Sequence, residues 1–448
     1  MDTGFELESQ IGQWRGYVER RGVIAAADAE EMEDHLREQI SDLSAAGLEP
    51  DEAFLVAVKR MGNVDGIARE FAREHSDRLW KQLVLLPATP DGVGKRAPRE
   101  LMLVLFLAVL GGVAIKIGLD VLDEEVFARN VGLFVLPFLA GYFAWKRRAG
   151  VRVGAALLVA FVLAAVLLNV YPFEEGGSTA VIVAIHAPLA LWFVVGVAYV
   201  GGEWRSDRRR MDFIRFTGEW IVYLTLLGLG GGVLIGLTVG VFDTLGTSVE
   251  WFIEDWVVPF GAVGALLVAA WLVEAKQNVV ENIAPVLTRV FTPLTTIMLL
   301  VLLAAFATSG SLVDVDRQLL ILMDVILIVV LGLLLYAISA RDPYLAPDLF
   351  DRLQFVLVIS ALAVDTLMLV AMLSRIAEFG FTPNKTAALG MNLVLLVNLT
   401  WSAVLLFGFV RGHRRFGATE RWQTTYLPVF GIWAAVVVAV LPPLFDFA

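Results

Sequence analysis

Cysteine is absent from all 448 residues. Its absence excludes disulfides, thiol nucleophiles, iron–sulfur clusters and covalent haem attachment. Histidine is scarce: His35, His75, His186 and His413 stand isolated, so no His-rich metal site is expected. Charge is thin, with 18% Asp, Glu, Lys and Arg against about 25% in an ordinary soluble domain. There is no Walker-type glycine loop, no His-Glu-x-x-His and no Gly-x-Ser-x-Gly. Asp324 and Asp365 lack the paired-acid motifs of an intramembrane protease. No internal repeat is visible, which removes the usual mark of transporters built from inverted halves. No catalytic residue, cofactor or metal is therefore expected, and the chain is not read as an enzyme.

What is present is apolar. The chain is 58% hydrophobic, with a mean hydropathy of +0.73. Up to Asp91 it reads like a soluble protein; from Leu101 onward it is a series of apolar runs separated by short charged loops. Each run reaches the roughly 20 residues that cross a ~30 Å hydrocarbon core. The net charge of −11 is also uneven, because residues 1–94 hold 19 Asp/Glu and 10 Lys/Arg. Such an acidic segment disfavours binding to nucleic acid or anionic lipid and suits a basic protein partner. The expected fold is all-α: a small cytoplasmic helical bundle over 1–80, a linker over 81–99 and a membrane domain over 100–448 with about eleven spans. Pro87, Pro90, Pro98, Gly92 and Gly94 mark the linker. No short apolar leader precedes the acidic segment, so the run after Arg99 is expected to direct insertion.

In the acidic segment, Leu7, Ile11, Trp14 and Val18 fall on one helical face, and Met32, Leu36, Ile40 and Leu43 on another. Gly47 reads as the end of that second helix, and Pro50 with Asp51 and Glu52 as the start of a third carrying Phe54, Leu55 and Val58. Gly62 and Asn63 separate it from a last helix with Ile67 and Phe71. Three strings, Glu31 through Ile40, Gly47-Leu48-Glu49-Pro50-Asp51-Glu52-Ala53 and Arg60-Met61-Gly62-Asn63, resemble the bacterial permease prefix domain, itself similar to the HAAS signalling domain. The likeness covers roughly residues 5–80. It implies a cytoplasmic regulatory or assembly module ahead of membrane segments; His35 itself reads as a surface or boundary histidine rather than a site residue.

Spans are expected near 101–119, 131–145, 153–171, 180–200, 220–242, 256–274, 292–308, 319–339, 353–373, 386–409 and 426–442. The second is short and contains Pro137; the seventh follows a broken region with Pro285 and Pro293. Basic residues crowd every second loop: Lys95 to Arg99, Lys146 to Arg152, Arg205 to Arg215, Lys276 and Arg289, Arg341 and Arg352, Arg411 to Arg421. The alternate loops are acidic. This places the N-terminus in the cytoplasm and the C-terminus outside the inner membrane. Trp145, Tyr171, Trp204, Trp220, Trp251, Trp256, Tyr336, Trp422 and Tyr426 read as interfacial anchors. Gly228, Gly230, Gly231, Gly232 and Gly236 read as a close helix contact.

An ionisable group in lipid costs roughly 2.5–3.5 kcal/mol or more, so each is a candidate site. Lys116, His186, Asp324, Asp365, Arg375 and Glu378 all fall in the outer half of the bilayer or at its outer edge. Lys116 is placed to pair with Asp324 or Asp365, and Arg375 with Glu378 three residues on. Two readings stay open: structural ion pairs with snorkelling ends, or a substrate, ion or proton site, for which Asp324 and Asp365 are the strongest candidates. Beside them Thr382 is placed to cap a helix whose first residue is Pro383. The string Ser374 through Lys385, with Asp348-Leu349-Phe350-Asp351-Arg352 and Gly218-Glu219-Trp220, resembles a multi-pass bacterial family known as domain of unknown function 4153. That likeness implies a fold and no activity. Three functions compete: a permease-like transporter or channel, a membrane signalling protein whose prefix domain relays to a cytoplasmic partner, and, last, an enzyme of lipid-linked substrates. The expected partners are the lipid bilayer, a cytoplasmic protein and further copies of the chain.

Overall fold

The computed structural model describes residues 7–8, 11, 26–45, 48, 53–54, 56–57, 97–244, 247–275, 283–309, 317–343 and 345–448. The chain divides into two compact units, Met1–Lys95 and Arg96–Ala448. Among the described residues there is no strand.

In the first unit, helix α1 spans Ala26–Ala45. Leu36, Ile40 and Leu43 recur at helical spacing and are buried against Ile11, Ala53 and Ala57, with Leu7, Leu48, Phe54 and Val56 at the margin. Asp34, Glu38 and Asp42 remain on the wet face. The Leu48 N–H bonds back to the Leu43 carbonyl at 3.2 Å, closing the helix end. Arg37 donates to Glu8 Oε1 and Oε2 at 2.6 and 2.8 Å and to Glu33 Oε1 at 2.8 Å, so it ties α1 to the segment of Leu7 and Glu8. The expectations resting on Trp14, Val18, Gly47, Pro50, Leu55, Val58, the turn at Gly62 and most of the 81–99 linker lie outside the described residues, as does the His35 side chain.

Among the described residues, the second unit holds eleven helices long and apolar enough to cross a membrane. In lipid the backbone must satisfy its own hydrogen bonds, so each apolar run becomes a helix. They are α2 (Ala97–Val121), α3 (Glu124–Lys146), α4 (Val151–Val170), α5 (Ser178–Tyr199), α6 (Asp207–Thr244), α7 (Glu250–Ala275), α8 (Ile283–Ser309), α9 (Arg317–Ala340), α10 (Leu349–Phe379), α11 (Pro383–Val410) and α12 (Gly417–Ala439), followed by the turn α13 (Leu441–Leu444). The chain is a multi-pass, all-α membrane protein.

Several boundaries differ from expectation, each for a visible reason. The second span is not short: it runs 23 residues, because Glu124 and Glu125 favour the positive end of a helix and Pro137 sits inside without breaking it. The seventh passes Pro285, in its first turn, and Pro293 in one helix of 27 residues. The fifth starts early, at Asp207, where a basic stretch continues as helix and buries Met211, Phe213, Ile214 and Phe216. Its 38 residues extend about 57 Å at 1.5 Å per residue, well beyond a ~30 Å core.

Helices α2, α3, α5 and α7 pack as one group and α8 to α11 as another. Helix α6 touches α7 and α9, and α12 touches α5 and α11, so these two join the groups. Aromatic rings knit α3, α5 and α6: Phe143 meets Phe216 at 5.1 Å between centroids, Tyr199 meets Phe216 at 4.6 Å and Trp192 meets Trp220 at 4.3 Å. Trp220 is half-buried and Tyr336 5% exposed, so both rings pack against neighbouring helices. Leucines and valines cover the outside of α4 and the second half of α6. The glycine expectation is also corrected. A Cβ on Gly228, Gly230, Gly231, Gly232 or Gly236 would meet nothing within 4 Å. The close contacts are elsewhere: a Cβ on Gly390 would strike the Trp433 ring and one on Gly112 would strike Phe260 at 2.5 Å.

Candidate functional site

Buried polar groups of the second unit divide by whether they have partners. The largest partnered group joins α2, α3, α5 and α7. Glu274, its side chain 1% exposed, accepts from Arg147 Nη2 at 2.8 Å and pairs with Lys146 Nζ at 3.3 Å. Lys146 also reaches Glu100 Oε1 at 2.6 Å, to which the Tyr142 hydroxyl donates at 2.7 Å. The Arg147 guanidinium donates to the Tyr199 carbonyl at 3.0 Å and lies over the Tyr199 ring. Two cations and two anions balance. A second balanced group sits at the start of α10. Arg341 grips Asp351 in two bonds of 2.7 and 2.8 Å, and Asp351 with Asp348 forms a capping box.

The residues singled out in the sequence do not form one site. Lys116 pairs with Asp120 at 2.9 Å and Asp255 at 3.2 Å, and lies 5.9 Å from the Trp256 ring centre. It does not pair with Asp324 or Asp365, since its nearest acids are one turn along α2 and at the start of α7. His186 Nδ1 bonds the Ile182 carbonyl on its own helix at 2.8 Å. Arg375 is half-buried and Glu378 exposed on the last turns of α10.

The string around Arg375 has a structural job. Gly380, at φ 72°, ends α10 in a conformation that favours glycine, and its N–H returns to the Ile376 carbonyl. Thr382 then caps α11, accepting from the Lys385 N–H at 3.4 Å, with Pro383 as its first residue. The Lys385 ammonium donates to the Arg375 and Gly380 carbonyls at 3.3 and 3.0 Å. A cation is thereby set against the negative end of α10.

Asp324 and Asp365 are brought together. Asp324 projects from α9 and Asp365 from α10, close enough for the Asp324 charge to act on Asp365, and Asn392 of α11 lies beside Asp324. Asp365 and Asn392 are both 0% exposed, and Asp324 is half-buried. Asp324 Oδ1, both oxygens of Asp365, and both polar atoms of the Asn392 carboxamide lack a hydrogen-bond partner. Asp324 is the one charged group acting on Asp365 among the described residues. An unpaired polar group in such surroundings costs about 1–3 kcal/mol, and more if charged. This cluster carries several.

Asp324 and Asn392 lie in the first halves of α9 and α11, and Asp365 just past the middle of α10. Asp324 is seven residues from Arg317 and Asn392 nine from Pro383, about 10 and 14 Å along their helices. On α10, Gln354, Val358, Ala361 and Asp365 share one buried face at helical spacing, and Gln354 Oε1 also lacks a partner. The face is polar at each end and apolar at Val358 and Ala361.

The sequence reading missed Asn392 and Glu274. Asn392 went unseen because only ionisable side chains were considered, although an asparagine deep in an apolar run carries the same signal. A partnered network of Asn398, Ser402 and Gln423 was missed for the same reason: Asn398 Nδ2 donates to Gln423 Oε1 at 3.0 Å, and Gln423 Nε2 to Ser402 Oγ at 2.7 Å. Among the described residues no cluster of three His, Cys, Asp or Glu is placed to hold a metal. No protein-family model, no curated protein and no solved structure matches the chain.

Proposed function

We propose that the protein is a permease-like transporter of the carrier type, with Asp324, Asp365 and Asn392 as the groups that meet its solute. One observation supports this above the rest: two neighbouring acids, one buried and one half-buried, with no cation paired to them among the described residues and most of their polar atoms unused. The buried acids Glu274 and Asp351 of the same unit are paired with cations, so a pair of acids that lacks one calls for something that comes and goes. The apolar step at Val358 and Ala361 and the full burial of Asp365 favour a carrier over an open pore. With the basic loops facing the cytoplasm, the site opens from the outer half of an inner membrane. The resemblance of residues 5–80 to the permease prefix domain agrees with this reading, by association alone. Two acids select against anionic solutes. The test is counterflow of cationic solutes, from sodium to small ammonium compounds, in proteoliposomes. Flux in the native chain that is lost in Asp365→Asn supports the proposal; no flux for any solute overturns it.

The separate core of the first unit favours one alternative, a signalling protein whose acidic unit relays to a cytoplasmic partner. Removing residues 1–95 separates the two. Transport that survives the deletion makes the unit regulatory, and a chain with no transport in either form leaves relay as its function.

A further inference from the structure

Two carboxylates and a carboxamide, with five polar atoms among them making no hydrogen bond of normal geometry, form an unusual donor set. It is made of hard oxygen atoms, which suit hard cations. Facing carboxylates in dry surroundings repel, and no lysine, arginine or histidine side chain acts on either one among the described residues. The negative charge must therefore be removed by a proton or balanced by a small cation. Asn392 is the second, independent sign. It is wholly buried, its carboxamide is within interaction range of Asp324, and neither its oxygen nor its nitrogen makes a hydrogen bond of normal distance and angle. A carboxamide left unsatisfied in that place has an oxygen to offer a cation and an N–H to offer a carboxylate.

From this geometry we infer that Asp324, Asp365 and Asn392 form an exchange site, at which one alkali cation enters as one proton leaves. The inference rests on the transport reading for its purpose but not for its test. In the exchange a protonated carboxyl loses its O–H proton to solvent. The carboxylate so formed and the Asn392 carbonyl oxygen then hold the cation. Charge balances, with one positive charge in and one out, and no redox step is involved. The second carboxyl keeps its proton throughout, which removes the repulsion. Three protein donors are too few to strip a cation of all its water, so some hydration enters with it.

Other titratable groups on the helices packed against Asp365 stand apart from the exchange. Helix α8 carries the exposed Arg289, and α9 carries Tyr336, which neighbours Glu219 and Arg215 of α6. Helix α10 itself carries Asp351, held by Arg341, with Arg352 nearby, and Arg375 and Glu378 at its far end. Helix α11 carries Lys385, held by backbone carbonyls.

The experiment uses the full chain in detergent, in weak buffer with a pH-sensitive dye. Sodium chloride is added, then potassium chloride, with choline chloride as the control. Release of about one proton per chain with an alkali salt, absent with choline, is the expected result. Apparent sodium affinity should weaken about tenfold for each pH unit of acidification while the exchanging carboxyl is protonated. Asp324→Asn should abolish release, and Asn392→Ala should weaken sodium affinity while leaving release at saturation. Release equal to that in choline, or release that persists in Asp324→Asn, overturns the inference. Should Asp324→Asn not fold, the pH dependence of sodium affinity in the native chain decides: a flat profile overturns it. Proton release without counterflow sinks the transport reading and leaves the exchange site standing; counterflow without release does the reverse.

Discussion

Two buried polar clusters lie in the same helical unit and obey opposite rules. Around Glu274 each charge has a partner within 3.3 Å, and two anions face two cations. Around Asp365 two acids face each other, and five polar atoms of three side chains have no partner. The first arrangement is what burial demands of charges that must stay put, because desolvation is offset only by close opposite charge and hydrogen bonds. The second is costly as it stands and becomes sound only when something positive arrives. A charge inside a membrane protein is therefore not a functional sign by itself. A charge without its counterpart is.

The sharpest way to break the comparison is to remove the anchor of the balanced cluster. Glu274→Ala strands Lys146 and Arg147 and should cost about 3–5 kcal/mol of stability, the usual loss when one partner of a buried pair is deleted. Thermal unfolding in detergent reads it. A loss under about 1 kcal/mol would mean that the cluster is hydrated and the contrast false. The companion change is Asp365→Asn. It removes a buried acid that has no cation partner, so stability should hold or rise by about 1 kcal/mol while counterflow is lost. Strong destabilisation would show that Asp365 is structural after all.

A neutral pair gives the intermediate case. Asn130 and Asn169 exchange two side-chain bonds of 3.0 and 2.9 Å between α3 and α4. Asn130→Ala should cost about 0.6–1.7 kcal/mol, as for other hydrogen bonds between membrane helices. The smallest effect belongs to the first unit. Its hydrogen bond to Arg37 holds the exposed Glu8 carboxyl below the ordinary glutamate range. Since the folded value is the lower one, the gain is present above the ordinary value, about 4.3, and fades as pH falls through the depressed one. Hydrogen exchange at the Leu36 and Ile40 amides should accelerate on acidification below that point. In Arg37→Ala this acid sensitivity should diminish.

Much of the architecture was legible because its causes are local. Apolar runs after Leu101 make spanning helices whatever surrounds them, and all eleven spans fall where hydropathy puts them. Thr382 and Pro383 act as cap and first helical residue, since capping needs only neighbours in sequence. Helix ends were less legible: charged residues such as Asp207 to Arg210 extend α6 beyond its apolar run. The site was half legible. Asp324 and Asp365 stood out as acids in apolar runs, but their mates did not. Lys116 had acids in several helices to choose from and took Asp120 and Asp255. Glu274 closes the expected span 256–274, and only the packing of α7 sets it beside the end of α3.

By itself, then, the amino-acid sequence determined that this chain is helical, that it crosses a membrane many times and that basic and acidic loops alternate. These follow from segment length, apolar content and charge, which each segment carries alone. Tertiary structure alone decided which buried charges are balanced. Ion pairing between helices depends on which faces meet, and residues more than 100 positions apart, such as Arg147 and Glu274, meet only once the helices have packed. The same packing left Asp324, Asp365 and Asn392 facing one another with nothing to hold, because α9, α10 and α11 bring only acids and an amide to that point.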